Sequence, residues 1–219
     1  SCLVTLELTG ITVSFNSAPL EWWLSLPIIV VYPLLFGWVS YQTATKLAEH
    51  KRRLQVMSTR DGMTGVYNRR HWETMLRNEF DNCRRHNRDA TLLIIDIDHF
   101  KSINDTWGHD VGDEAIVALT RQLQITLRGS DVIGRFGGDE FAVIMSGTPA
   151  ESAITAMLRV REGLNTLRLP NTPQVTLRIS VGVAPLNPQM SHYREWLKSA
   201  DLALYKAKKA GRNRTEVAA

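Results

Sequence analysis

The sequence predicts an α+β fold, a ferredoxin-like sandwich that follows a transmembrane helix. Two observations predict the sandwich: helical and strand-like hydrophobic periods alternate after residue 61, and the elements come in the order strand, helix, strand, strand, helix, strand. A third observation predicts the transmembrane helix, because residues 22–41 contain no charged side chain. We expect one sheet with its helices packed on one face.

Composition and charge argue against several classes of protein. Of the 219 residues, 44% are hydrophobic and 22% are charged, which is typical of a folded protein rather than a disordered one. With two cysteines, the chain has neither a disulfide framework nor a four-cysteine zinc site. The net charge of +4 arises from two blocks of +5, at residues 46–70 and 206–214, while residues 71–205 carry −3. We therefore expect no nucleic-acid partner.

The uncharged segment 22–41 has the length of a membrane span, because 20 residues at 1.5 Å each cross a hydrocarbon core of roughly 30 Å. Aromatic residues near both ends resemble interfacial belts, and the basic residues that follow indicate that the chain after residue 45 is cytoplasmic. A buried core helix and a cleaved signal peptide fit less well. We interpret residues 1–21 as the remnant of a membrane sensor region and residues 42–60 as a linker helix.

The segment 61–219 is the predicted domain. Its elements are a helix over 68–86, a strand over 90–98, a helix over 112–127, two hairpin strands within 132–145, a helix from Pro149, a strand over 174–185 and a helix over 192–211. Apolar residues at helical spacing predict the helices, and buried or alternating apolar runs predict the strands. A Gly-Gly turn indicates the hairpin, Pro149 suits a first helical turn, and Gly211 suits a helix end.

Carboxylates mark two predicted turns. Asp96 and Asp98 end the strand over 90–98, and we assign them to opposite faces of the sheet, so that only Asp96 faces a site. The hairpin turn carries Asp139 and Glu140 after two glycines. If these turns are adjacent, Asp96 and Asp139 form a cradle for a hard divalent cation such as Mg²⁺ beside a nucleotide. An ordinary hairpin turn, in which Asp and Gly are common, is the alternative.

Four blocks of the sequence resemble the GGDEF family of diguanylate cyclases. The central block reads RFGGDEF at residues 135–141. The others are DGMTGVYNRR at 61–70, in which Met63 and Val66 depart mildly from the family pattern, DIDHFKSIND at 96–105 with Gly108, His109, Gly112 and Asp113 after it, and YKAK at 205–208 with GRN at 211–213. The resemblance covers about residues 58–215. The membrane half resembles, more weakly, the anchored enterobacterial cyclases that control cellulose and biofilm.

The resemblance implies a nucleotide-cyclase or polymerase-palm-like variant of the ferredoxin-like fold. It implies that two GTP condense to cyclic di-3′,5′-GMP and two pyrophosphates across a homodimer, with two Mg²⁺ (or Mn²⁺) in each half-site. The enzyme would be anchored in a bacterial inner membrane with the domain in the cytoplasm. Two alternatives are a catalytically inactive module that binds GTP or cyclic di-GMP, and a membrane-tethered scaffold that only dimerises.

The resemblance also implies roles for individual residues. Those assigned to the metals are Asp96, the Ile97 carbonyl, Asp139 and Glu140. Asp139 and Lys101 are assigned to catalysis with help from Glu140, since Asp139 takes the proton of the 3′-hydroxyl and Lys101 neutralises phosphate charge. Lys208 and Arg212 are assigned to the β- and γ-phosphates. Substrate contacts are also assigned to Phe100, Asn104, His109 and Asp113.

Several of these residues have ordinary alternatives. Asn104 and Asp113 are assigned to the guanine, yet alone they would be interpreted as a helix cap and a first-turn charge. His109, assigned to the ribose or base, fits a supporting structural role nearly as well. Asp98 and Asp105 are interpreted as solvated or capping residues.

Two further features of the sequence concern regulation and support. Arg128 and Asp131 match the family's R-x-x-D site for inhibition by cyclic di-GMP, although the same residues fit a helix end with a Gly cap. Asp61 is expected to pair with Arg135 and to attach the first turn to the hairpin.

Overall fold

The computed structural model describes residues 5–8, 11–14, 31–47, 59–167, 169, 172 and 175–218. The chain divides into two compact units, Ser1–Met57 and Ser58–Ala219. This division lies close to the boundary at residue 61 that the sequence predicts.

The first unit contains a short antiparallel hairpin and a helix. Strands β1 (Thr5–Leu8) and β2 (Ile11–Ser14) pair, and helix α1 covers residues 31–47. Within the described part of the chain, no helix is both long and apolar enough to cross a membrane. Residues 22–30 of the predicted span lie outside the described residues, and residues 31–41 are helical. The membrane span therefore stays a prediction.

The predicted linker helix is only partly described. Residues 42–47 continue α1, and residues 48–58 lie outside the described residues. Arg60 forms an isolated antiparallel bridge with Tyr67, so the chain is not helical at the end of the predicted linker.

The second unit alternates strands and helices. Its elements are β3 (Tyr67–Asn68), α2 (Arg69–His86), β4 (Ala90–Ile97), α3 (Phe100–Trp107), α4 (His109–Thr126), β5 (Val132–Gly137), β6 (Glu140–Ser146), α5 (Ala150–Thr166), β7 (Ile179–Pro185), α6 (Tyr193–Lys209) and β8 (Thr215–Val217).

The sheet of this unit has the strand order β3-β5-β6-β4-β7-β8. The four central strands pair antiparallel, and the short strands β3 and β8 add to the edges in parallel. The connection from β4 through α4, β5, β6 and α5 to β7 is the strand-helix-strand-strand-helix-strand order that the sequence predicts. The α+β, ferredoxin-like prediction is therefore confirmed for this unit.

Helices cover both faces of the sheet, so the expectation that they share one face is wrong. Helices α4 and α5 pack on one face of the central strands, and α2 and α6 pack on the other. All eight residues of β4 are consequently buried. The uninterrupted apolar run at residues 92–95 is typical of a strand covered on both sides, and it is the sequence signal for the second helical layer.

The ends of the elements follow local chemistry. Helix α2 begins as predicted, because the Asn68 side chain accepts a hydrogen bond from the His71 N–H at 3.0 Å. Helix α3 was not predicted, although Phe100, Ile103 and Trp107 recur at helical spacing in its eight residues, none of which is buried. Helix α4 begins at His109 rather than Gly112, and β7 begins at Ile179 because residues 175–178 are not paired in the sheet.

Candidate functional site

The carboxyl end of β4 lies beside the turn of the β5–β6 hairpin. Asp96 is opposite Glu140 in the antiparallel register of β4 and β6. The Ile97 N–H donates to the Asp139 carbonyl at 3.4 Å. The two predicted turns are therefore adjacent, and they bring Asp96, Asp139 and Glu140 to one edge of the sheet.

Lys208 of α6 brings a positive charge to this edge. Its Nζ lies 2.7 Å from Oδ2 of Asp96, whose residue is only 7% exposed. Burial raises the pKa of Asp96, while Lys208 opposes the rise and the negative charges of Asp139 and Glu140 add to it. The edge is thus an anionic site in which one lysine pairs with the buried carboxylate of Asp96.

The carboxylate oxygens at this edge suit a hard divalent cation that is also coordinated by a bound ligand. Among the described residues, no three His, Cys, Asp or Glu side chains form a ready-made metal cage. Mg²⁺ does not require such a cage, because it is usually held by one or two carboxylates together with substrate phosphates and water. The oxygen donors of Asp96, Asp139 and Glu140 fit this type of site.

Asp98 lies on the same side of the sheet as Asp96, so the assignment to opposite faces is wrong. Residues two apart in a strand share a face. Asp98 is 5% exposed and accepts hydrogen bonds from the Ser180 hydroxyl at 2.7 Å and the Asn213 N–H at 2.8 Å. The interpretation of Asp98 as solvated is therefore wrong as well.

Arg135 attaches the hairpin to the first turn of the domain. Its guanidinium donates twice to the Gly138 carbonyl, at 3.0 and 2.8 Å, and once to Oδ1 of Asp61 at 3.1 Å. Partial burial would raise the pKa of Asp61, but hydrogen bonds from Thr64 and Arg135 outweigh it and lower that pKa. The predicted pairing of Asp61 with Arg135 is confirmed.

The segment assigned to guanine forms a helix pair, α3 and α4, joined at Gly108. The Asn104 side chain of α3 lies over Gly112 of α4, where a Cβ would clash with it. Oδ1 of Asn104 is buried and has no hydrogen-bond partner among the described residues. Asn104 is thus not an N-cap: it lies inside α3 with an acceptor available for a ligand.

The other assigned residues surround these two centres. Phe100, the first residue of α3, packs partly buried against the core. His109 and Asp113 are exposed on α4, and Lys101 on α3 and Arg212 after α6 are exposed as well. Neither Lys101 nor Arg212 forms an ion pair with a described residue. The structure therefore brings Lys208 to Asp96 but leaves Lys101 and Arg212 without a carboxylate partner in the described part of the chain.

Arg128 and Asp131 line a separate cavity of about 240 Å³ between the end of α4 and α5. Oδ2 of Asp131 accepts from the Arg128 N–H at 2.9 Å, whereas its buried Oδ1 has no hydrogen-bond partner in the part of the chain that the structure describes. Burial raises the pKa of Asp131, and Arg128 opposes the rise. Arg159 of α5 lines the same cavity. Arg159 was not predicted from the sequence, because no local pattern connects it with a turn 31 residues earlier.

Comparisons with known proteins identify the relatives of this chain. The family described as "Diguanylate cyclase, GGDEF domain" matches residues 58–214. "Probable diguanylate cyclase DgcC" of Escherichia coli strain K12 is 99% identical over 219 residues, which are 100% of this chain and 59% of that protein. This chain thus spans 59% of the length of that relative.

Two solved structures are similar in fold. The crystal structure of the GGDEF domain of DgcB from Caulobacter crescentus in complex with c-di-GMP has a TM-score of 0.70 and 30% sequence identity, and the match covers 74% of this chain and 96% of that one. The crystal structure of diguanylate cyclase SiaD in complex with its activator SiaC from Pseudomonas aeruginosa has a TM-score of 0.70 and 33% identity, with coverage of 90% and 78%.

Proposed function

Because this chain belongs to the GGDEF family of diguanylate cyclases, we propose that it condenses two GTP to cyclic di-3′,5′-GMP and two pyrophosphates. The observation that carries the proposal is the adjacency of Asp96 to the turn with Asp139 and Glu140, where Lys208 contributes the positive charge. Phosphoryl transfer depends on positioning and charge neutralisation, and this edge of the sheet has the groups for both.

The residues at this edge have different roles in the proposed reaction. Asp96, the Ile97 carbonyl, Asp139 and Glu140 would hold two Mg²⁺ or Mn²⁺, which when bound neutralise phosphate charge and acidify the attacking hydroxyl. The Asp139 carboxylate takes the proton of the 3′-hydroxyl. Lys208 already lies at Asp96, so a triphosphate that binds there meets its ammonium group. Lys101 and Arg212 are exposed and free of ion pairs within the described chain, and they neutralise the remaining phosphate charge.

Recognition of guanine belongs to the α3–α4 pair. The unpartnered Oδ1 of Asn104 accepts from the guanine, and Asp113 accepts from the N1–H and N2 amino groups together. Adenine lacks that pair of donors, so it leaves both acceptors unsatisfied. Phe100 and His109 lie on the same two helices and complete the contacts to the base and ribose.

The reaction requires a homodimer. Each 3′-hydroxyl must attack the α-phosphate of the other nucleotide in line, and one domain holds one GTP. Two copies therefore face each other with their carboxylate edges. For the whole protein, residues 22–41 anchor it in the bacterial inner membrane, and the basic residues after them keep the domain in the cytoplasm.

The cavity at Arg128 and Asp131 is a second site, for the product. Its support is the buried Oδ1 of Asp131, which no described residue hydrogen-bonds, in a cavity that Arg128 and Arg159 also line. A guanine donates to a carboxylate from its Watson–Crick edge and accepts from arginine on its Hoogsteen edge. Cyclic di-GMP bound there inhibits the enzyme.

The test is incubation of purified protein with GTP and Mg²⁺, with the products separated and identified by mass. Cyclic di-GMP is the expected product. A dimeric preparation that binds GTP but makes no product would contradict the proposal and would favour the inactive binding module. A dimer that binds neither GTP nor cyclic di-GMP would favour the scaffold.

A further inference from the structure

The loop after α6 has an unusual backbone. Gly211, Arg212 and Asn213 adopt positive φ values of 109°, 61° and 48° in succession. The glycine ends the helix in a Schellman motif, in which the Arg212 N–H donates to the Ala207 carbonyl at 3.0 Å. The two residues that follow carry side chains, for which this conformation costs free energy, so their surroundings must hold them in place.

Asp98 is the group that holds this loop. Its Oδ2 accepts from the Asn213 N–H at 2.8 Å, and its Oδ1 accepts from the Ser180 hydroxyl of β7 at 2.7 Å. The next residue, Arg214, is fixed to the sheet because its carbonyl accepts from the Val181 N–H at 2.9 Å. A buried carboxylate with both oxygens bonded is a rigid support, and one of its two donors, the Asn213 N–H, belongs to the residue that follows Arg212 in the chain.

The same strand end also supports the metal-binding carboxylate of the proposed function. Asp98 follows Asp96 by two residues, and both lie on the α6 side of the sheet. Lys208 of α6 contacts Asp96, and the loop after α6 contacts Asp98. Helix α6 and its loop are thus joined to the end of β4 by two contacts. Lys208 contacts Asp96 in the proposed metal site, and Asn213 contacts Asp98, two residues further along the chain.

We propose that Asp98 is a positioning residue for triphosphate binding: through the Asn213 N–H it fixes the left-handed loop that aims Arg212 at the phosphates. This inference rests on the proposed function for the role of Arg212. Asp98 itself does not touch the nucleotide, because its two carboxylate oxygens are occupied by Ser180 and Asn213. Its loss therefore weakens GTP binding to the same extent as loss of the Arg212 guanidinium.

The experiment measures GTP affinity by displacement of a fluorescent GTP analogue, together with KM and kcat, for five variants. Asp98→Ala and Arg212→Ala are each expected to weaken GTP binding and raise KM about tenfold, the scale of one charge-assisted hydrogen bond. The double variant is expected to be no weaker than Arg212→Ala alone. Asp81→Ala, at an exposed aspartate on α2, is the matched control and is expected to leave the GTP affinity and KM unchanged.

Asp98→Asn serves as the rescue, because its amide oxygen can accept from Asn213 while its NH₂ donates to the Ser180 hydroxyl. It is expected to restore binding to within about threefold of the native chain, even if Asp98→Ala fails to fold. Additive losses in the double variant, or a lower melting temperature of Asp98→Ala with unchanged GTP affinity and KM, would overturn the proposal. The GTP affinity is measured without turnover. If the native chain binds GTP but makes no product, the proposed function is contradicted, and the affinities of the variants still test the role of Asp98.

Discussion

The ammonium of Lys208 lies 2.7 Å from a carboxylate oxygen of Asp96, at the point where α6 crosses the end of β4. The side chain of Asp96 is 10% exposed and that of Lys208 is 31% exposed, so this ion pair is largely withdrawn from water. Lys208 thus connects the two parts of the proposed site, because it lies on α6, the helix proposed to bind phosphate, and contacts a carboxylate of the sheet.

Loss of this ion pair is expected to destabilise the domain. In Lys208→Met the buried carboxylate of Asp96 loses its partner, and the free energy of unfolding should fall by about 2 kcal/mol, somewhat less than for a fully buried pair. The measurement is urea unfolding at neutral pH. Lys206→Met, an exposed lysine of the same helix, is the control and should change stability by less than about 0.5 kcal/mol. Equal effects of the two variants would show that the ion pair contributes nothing.

The pairing of Asp61 with Arg135 predicts a pH dependence of stability. The folded-state pKa of Asp61 lies below its ordinary value of 3.8, so the stabilising effect is complete above that value and is lost as the pH falls through the folded-state pKa. Asp61→Asn should therefore be less stable than the native chain by about 1 kcal/mol at neutral pH. The difference should shrink as the pH falls below 3.8 and through the lowered folded-state pKa. A difference that stays constant over this range, measured by urea unfolding, would contradict the assignment.

Nucleobase selection is expected to depend on Asp113. If its carboxylate accepts from both guanine donors, Asp113→Ala should reduce the preference for GTP over ATP by at least about tenfold. The measurement is competition of GTP and ATP for the nucleotide site. Asp110→Ala, an exposed aspartate one turn earlier on α4, is the control and should preserve the preference. An unchanged ratio in Asp113→Ala would remove this residue from guanine recognition.

Product inhibition is expected to depend on Arg159 as well as on Arg128. Both guanidinium groups line the cavity that contains the unpartnered oxygen of Asp131. Either substitution by alanine should raise the cyclic di-GMP concentration for half-inhibition by about tenfold without a change in initial rate. Arg88→Ala, at an exposed arginine that does not line this cavity, is the control. An inhibition curve for Arg159→Ala identical to that of the native chain would show that the cavity is not the inhibitory site.

The sequence alone predicted the carboxylates at the centre of the site, but it did not predict the contacts that hold the surrounding elements in place. The hairpin with Asp139 and the strand that ends at Asp96 were both predictable, because each has a local pattern and the order of elements places them side by side. Helix α3 was missed because its eight residues form only about two turns, although Phe100 and Ile103 pack against the core at helical spacing. The second helical layer was missed although the apolar run in β4 indicated it. The contact of Asp98 with Asn213 joins residues far apart in the chain, and no local pattern encodes it.

The most direct measurement is the stoichiometry of the reaction in a dimeric preparation with GTP and Mg²⁺. We predict that two GTP are consumed for each cyclic di-GMP and two pyrophosphates. We also predict that Asp139→Ala lowers the rate of product formation by at least about a thousandfold. Its free energy of unfolding should stay within about 1 kcal/mol of that of the native chain. GTP that stays intact in the dimer, or undiminished product from Asp139→Ala, would contradict the account.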